Sequence, residues 1–138
     1  MPAWAAALLE RERVGRLGLL DDEGRPRVLP VTYAVAAGAL WSAVDDKPKT
    51  GEPARVRYLR RRPQAALTAD RYDDDWSRLA WVQVLGDVAV LGLAESGEGL
   101  DALTAKYEQY RAARPPGPFL RLVPKRVVCW SAEDAGRR

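Results

Sequence analysis

The sequence predicts a mainly β chain with flanking helices, in which six antiparallel strands close into a small barrel. Two observations carry this expectation. Strand-like stretches are joined by tight turn signals, Asp21-Asp-Glu-Gly24 and Ala37-Gly38 among them, which link neighbouring strands as hairpins. No βαβ periodicity runs through the chain, so a parallel sheet has no crossover helices to build on.

Residues 3 to 13 read as a helix and Val14 to Leu20 as the first strand. The acidic turn at 21 to 24 returns the chain into a second strand, residues 27 to 36, and Ala37-Gly38 into a third, residues 39 to 44. Residues 53 to 62 form an arginine-rich helix. Pro53 suits its first turn, where a fixed φ helps and a missing N–H costs nothing, and Pro63 stops it. Gln64 to Ala69 alternates as a fourth strand, and Asp70 to Arg78 is a polar loop. Residues 80 to 92 are a fifth strand in which Gly86 marks a bulge or sharp bend. Residues 99 to 113 carry Leu103, Tyr107 and Tyr110 at helical spacing, a face for packing onto the barrel. Arg114-Pro-Pro-Gly-Pro118 is a rigid connector into the sixth strand, residues 119 to 131, where Pro124 requires an edge or a bulge. Residues 132 to 138 read as a loose tail of a single domain spanning 1–138.

A chain of 138 residues can bury one core but is short for an enzyme with a cleft of its own, which favours a site shared between subunits. Its 22 basic and 19 acidic residues give a net charge of +3, which permits an anionic ligand or nucleic acid and requires neither. The N-terminal stretch reads as a helix and not as a leader, and no apolar run reaches membrane-spanning length. A cytoplasmic protein without a membrane partner is expected. Histidine is absent and Cys129 is the only thiol. Zinc sites built on histidine or paired cysteines, histidine-assisted nucleophiles and dithiol chemistry are thereby excluded. Cys129, inside the strand-like Val127-Val-Cys-Trp130, reads as a small buried hydrophobe. Asp73-Asp-Asp75 lacks the spacing and the glycine of a calcium loop and reads as a solvated or salt-bridged turn. No metal site is expected, and any hard chemistry belongs to a bound cofactor.

The layout of Gly24 to Asp70 suits a phosphorylated, planar cofactor: two strands, the turn Asp45-Asp-Lys-Pro-Lys-Thr50 and the arginine-rich helix. A helix N-terminus offers unpaired N–H groups with partial positive charge, and Lys47 and Lys49 stand just before it. Thr50 or Glu52 is placed to cap the helix, and the Thr50 hydroxyl can serve the phosphate instead. The plain alternative is a turn whose lysines touch only water.

The chain resembles the pyridoxamine 5′-phosphate oxidase class of split β-barrel flavin proteins, and in particular small members that use the deazaflavin coenzyme F420. The resemblance spans nearly the whole chain. It rests on Asp22-Glu-Gly-Arg-Pro-Arg-Val-Leu-Pro-Val31, on Leu40-Trp-Ser-Ala-Val-Asp-Asp-Lys-Pro-Lys49, on Leu59 to Pro63, and on Asp70-Arg-Tyr-Asp-Asp-Asp-Trp-Ser-Arg-Leu79 followed by Trp81. It implies a homodimer with two cofactor sites, each built across the interface. It also implies that Lys47, Lys49 and Thr50 hold the cofactor phosphate, while Val28, Leu29, Pro30, Ser42, Ala43 and Val44 line the ring. Tyr72, Trp76 and Arg78 would complete the pocket on the partner subunit. Relatives often carry a further basic residue after the second lysine; here the chain reads Thr50-Gly-Glu-Pro53, and Arg55 or Arg57 is placed to compensate.

The implied activity is hydride transfer from the reduced deazaflavin to a small organic acceptor, with no catalytic side chain singled out. Flavin mononucleotide is the rival cofactor, and a non-catalytic module that stores or senses a flavin or another planar ligand is the rival function. Nucleic acid is not an expected partner, because the arginines crowd one short helix with no aromatics interleaved. Trp41, Trp81 and Trp130 read as core or dimer-interface residues. Trp76, in a polar loop, reads as facing a flat ligand or a partner.

Overall fold

The computed structural model describes residues 1–44 and 51–135. Seven strands and five helices follow in chain order: α1 (Ala3–Arg11), β1 (Gly15–Leu20), β2 (Pro26–Val31), β3 (Ala34–Ala36), β4 (Ala39–Ala43), α2 (Ala54–Arg61), β5 (Gln64–Arg71), β6 (Ala80–Leu91), α3 (Gly97–Lys106), α4 (Glu108–Ala112), β7 (Phe119–Ser131) and α5 (Ala132–Ala135). Short 3₁₀ turns lie at Trp76–Arg78 and Leu93–Glu95. All strand pairs are antiparallel.

The expected six strands become seven because the segment 27–36 is two strands with different neighbours. The sheet order is β2-β1-β5-β6-β7-β4-β3, so β2 and β3 occupy opposite edges although only Thr32 and Tyr33 separate them. Three peptide steps span no more than about 11 Å. The two edges of the sheet therefore meet, and the sheet curls into a split barrel.

A chain that leaves one edge for the other abandons its ladder partners, and side chains satisfy the backbone there. The Ser42 hydroxyl donates to the Thr32 carbonyl at 2.7 Å. The Tyr33 N–H donates to the Tyr107 hydroxyl at 3.1 Å, and that hydroxyl lies 3.0 Å from the Tyr33 carbonyl and 2.8 Å from that of Arg13. Thr32 Oγ1 and the Tyr110 hydroxyl are 2.7 Å apart. Tyr107 can reach the corner because it is extended, at φ −118° and ψ 120°. This splits the expected helix 99–113 into α3 and α4.

The turns behave as their residues dictate. Ala37 and Gly38 both adopt positive φ, 52° and 71°, as a two-residue hairpin of matching twist requires. In the β6–β7 ladder Leu85 pairs with Arg126 and Gly86 with Pro124. Lys125 is the extra residue of a bulge beside Pro124, whose other side lies beyond the β4 pairing that ends at Leu122, as a residue without an N–H requires. A Cβ on Gly86 would strike the Val123 carbonyl, so only glycine fits the bend.

Two cores result. Leu17, Leu19, Leu67, Val82, Val84, Leu120 and Leu122 fill the barrel with α1 against its end, and Trp41, Leu100, Leu103, Tyr107, Tyr110 and Phe119 form a second cluster under α3 and α4. Cys129 is half-buried against the first. The expected tail is helical at Ala132–Ala135, where Trp4 Nε1 donates to Asp134 at 2.8 Å.

Replacing Tyr107 with Phe keeps the ring but strands the Tyr33 amide, and is expected to lower unfolding stability by about 1–3 kcal/mol. Denaturant titration of the two proteins measures it.

Candidate functional site

The barrel interior is closed to a cofactor. The cavity among Leu17, Tyr33, Leu67, Leu120 and Leu122 has a water-accessible volume of about 10 Å³, room for a single water at most. Ring-sized ligands need several hundred Å³, so this cavity is no cofactor site, and the expected ring-lining residues are sought on the outer surface.

On that surface β2 is an edge strand. Val28 is 71% exposed and Pro30 is exposed, whereas Leu29 turns into the barrel core. β2 pairs only with β1, leaving the backbone groups on its other side without a strand partner. Ser42, Ala43 and Val44 are buried, and the Ser42 hydroxyl is spent on Thr32. What these three present to a ligand is backbone and small-residue surface at the end of β4. That same hydrogen bond sets β4 beside the end of β2, bringing these two groups of expected ring-lining residues to one corner.

Lys47, Lys49 and Thr50 lie outside the described residues. The helix that follows them is described. Pro53 is its N-cap and not a first-turn residue, and no side chain caps it. Glu52, expected as a possible cap, instead takes both Nε and Nη2 of Arg60 at 3.3 and 2.8 Å. That pairing holds the Glu52 carboxyl below the usual range. Arg57 and Arg61 pair with Asp22, and Arg62 donates to the carbonyls of Asp21 and Asp22. The acidic turn is itself rigid, because Asp21 accepts the N–H groups of Arg25 and Glu23, which keep its carboxyl acidic. α2 is thus fastened to the β1–β2 hairpin. Arg55, half-buried, has no ion-pair partner among the described residues.

Tyr72 and Trp76 are 66% and 68% exposed. Their loop is shorter than the sequence suggests, since β5 runs on to Arg71. It is also firmly built. Asp75 accepts the N–H and hydroxyl of Ser77, which hold its carboxyl acidic; Asp73 accepts the Asp75 N–H and pairs with Arg78; Arg71 donates to the Arg78 carbonyl.

This loop and the β4 end are not neighbours within one chain. Asp70 pairs with Trp81 near one end of β6, whereas Ala43 pairs with Phe119, which pairs with Leu91 at the other. From Trp81 to Leu91 is about 33 Å of extended strand.

The register also defines the outer face of the sheet. Val28, Gly18, Ala66, Leu85 and Arg126 form one row across it, Pro30, Arg16, Thr68, Gln83 and Val128 the next, and Asp70, Trp81 and Trp130 a third. Trp41 is a core residue, as expected, but Trp130 is 40% exposed beside half-buried Trp81.

Comparison with known proteins settles the family. The model of the pyridoxamine 5′-phosphate oxidase family matches residues 1–131. The chain belongs to this family. No curated protein matches it. Among solved structures, a conserved hypothetical protein from Mycobacterium tuberculosis superposes with a TM-score of 0.80 at 18% identity, over 99% of this chain and 88% of that one. An FAD-binding protein from Mesorhizobium loti gives 0.70 at 22% identity over 94% of both chains. An F420 reductase gives 0.69 at 20% identity, over 93% of this chain and 98% of the other. At such identities the likeness is one of fold, and it agrees with the split barrel found here.

One buried cation was not legible in the sequence. Among the described residues the Lys106 ammonium has no hydrogen-bond partner, and it sits 4.0 Å from the Tyr33 ring centroid and 5.5 Å from that of Tyr107. Burial pushes its pKa down to about 8, with Arg13 adding to the effect and Glu12 and Glu10 opposing it. Burial likewise raises the phenols of Tyr33 and Tyr107. Between pH 8 and 10 the unfolded chain keeps a proton on Lys106 that the folded chain releases, so stability rises with pH. Above pH 10 the unfolded tyrosines ionise and the folded ones do not, so stability falls. Thermal unfolding midpoints measured from pH 7 to 11 are expected to peak near pH 10, and Lys106→Met should remove the rise.

Proposed function

We propose that this protein is an oxidoreductase that binds the deazaflavin coenzyme F420 and passes hydride from its reduced ring to a small organic acceptor. The observation that carries the reading is the unspent start of α2. Its first amides have no side-chain cap, and Arg55 alone among the arginines of α2 lacks an ion pair within the described residues, directly after the segment holding Lys47, Lys49 and Thr50. The helix dipole, its uncapped amides and the Arg55 cation lie at one end of α2, and Lys47 and Lys49 stand just before it in sequence, the donors a phosphate requires. The other arginines of α2, with Arg62, are committed to carboxylates and carbonyls among the described residues, which argues against this helix as a basic stripe for nucleic acid.

When bound, the coenzyme supplies the hydride chemistry. The residues of the chain have the simpler tasks of holding and orienting it. Lys47, Lys49, Thr50 and Arg55 grip the phosphate. Val28 and Pro30, with the backbone of Leu29, Ser42, Ala43 and Val44, form a flat wall of small groups for the ring. The FAD-binding neighbour favours a flavin as the second reading, with flavin mononucleotide as the rival cofactor.

A second copy of the chain is part of the proposal. Tyr72, Trp76 and Arg78 lie too far along the sheet to meet the β4 end of their own chain. The outer face carrying Val28, Leu85, Trp81, Val128 and Trp130 offers the apolar, aromatic surface that a symmetric dimer buries. Across it, the partner's loop would close the pocket and exclude water.

Titration with oxidised F420 and, separately, with flavin mononucleotide, followed by quenching of ligand fluorescence, tests the first claim. Tighter F420 binding, weakened about tenfold or more by Arg55→Ala and by Lys49→Ala, is expected; preference for flavin mononucleotide would favour the second reading, and binding of neither would overturn both. Mixing Lys49→Ala chains with Trp76→Ala chains tests the second claim. Each variant alone should bind weakly, and the mixture should recover one intact site per mixed dimer. No recovery would mean that each site is contained in one chain.

A further inference from the structure

We infer that Trp4 and Asp134 form a latch that positions the Trp76 loop, an inference resting on the functional reading in which that loop covers the cofactor. The aromatic rings of the loop are exposed, yet the backbone beneath them is held from outside the loop. The Ala132 N–H donates to the Leu79 carbonyl at 2.9 Å, and α5 packs on the Trp76–Arg78 turn. Four residues of helix do not stand unaided. α5 is anchored by Ser131, 6% exposed, whose hydroxyl accepts the Asp134 N–H at 3.1 Å, and by the Asp134 carboxylate, which accepts Trp4 Nε1 at 2.8 Å. Trp4 belongs to α1, and Ala5, Leu8 and Leu9 of that helix are buried in the barrel core.

Support therefore runs from the core through α1, Trp4 and Asp134 to α5, and from there to the strand-loop junction at Leu79. Neither latch residue touches the proposed cofactor. They act by keeping an exposed aromatic surface preorganised, so that closing over a flat ligand costs less conformational entropy.

Hydrogen exchange of the Ser77, Arg78 and Leu79 amides, measured beside F420 affinity, tests the latch. Trp4→Phe keeps the ring without its N–H; Asp134→Ala removes the acceptor and Asp134→Asn retains one. Exchange faster by about fivefold or more in Trp4→Phe and Asp134→Ala, without loss of global protection, is expected. Asp134→Asn should behave as the parent, and the double variant Trp4→Phe/Asp134→Ala should be no worse than either single one. F420 affinity should fall about three- to tenfold in the same two variants and recover in Asp134→Asn. Unchanged exchange in Trp4→Phe and Asp134→Ala would overturn the latch. Faster exchange with unchanged affinity would uphold the latch and overturn the placement of Trp76 on the cofactor.

Discussion

The fold depends on the backbone polar groups of Thr32 and Tyr33 being satisfied where the chain crosses from one edge of the sheet to the other. A continuous strand would have kept its ladder bonds and left the sheet open. Here the ladder is given up, and a buried amide or carbonyl without a partner costs about 1–3 kcal/mol. Ser42 from β4 and Tyr107 from the break between α3 and α4 supply the replacements, and Tyr110 from α4 meets the Thr32 side-chain hydroxyl beside them. Three elements distant in sequence are thereby tied to one corner, and the barrel closes around it.

The consequences for the candidate site are direct. Closure packs the described barrel core so tightly that its cavity holds no more than a water. It also sets the end of β4 beside β2. Salt bridges and backbone hydrogen bonds from the acidic β1–β2 turn then place α2, drawing off Arg57, Arg61 and Arg62 and leaving Arg55 toward the helix start. Individually such exposed pairs contribute little stability. Their effect is orientation: they decide which cations remain available to an anion.

Much of this was legible along the chain. Ala37-Gly38, Gly86 with Pro124, and Leu103, Tyr107 and Tyr110 each announced a turn, a bulge and a packing face, because the constraint acts on the residue itself or on near neighbours. The split of 27–36 was not legible. Val-Leu-Pro-Val-Thr-Tyr-Ala-Val is a nearly continuous apolar run with no glycine or polar turn cluster inside it, and only the destinations of its two halves divide it. The break at Tyr107 escaped for the same reason, since its cause lies at Tyr33. For the site, the exposure of Trp76 was readable from its polar surroundings, whereas Glu52 was misjudged as a possible cap because its partner, Arg60, competes for it two turns later.

By itself the sequence determined the class of fold, most element boundaries, the absence of histidine and dithiol chemistry, and the family. The first three follow from local periodicity, from turn residues and from composition, and the family from the resemblance of its motifs; none needs knowledge of what meets what. Tertiary structure alone decided which strand edges meet, that the cavity among Leu17, Tyr33 and Leu122 has no room for a ring, that among the described residues Arg55 and not its neighbours is without an ion pair, and that Trp4 meets Asp134 across 130 residues of chain. Each is a question of contact between distant segments. Such contacts are fixed by the shared cost of burying polar groups and the shared gain of closing a core, quantities that belong to the folded chain as a whole.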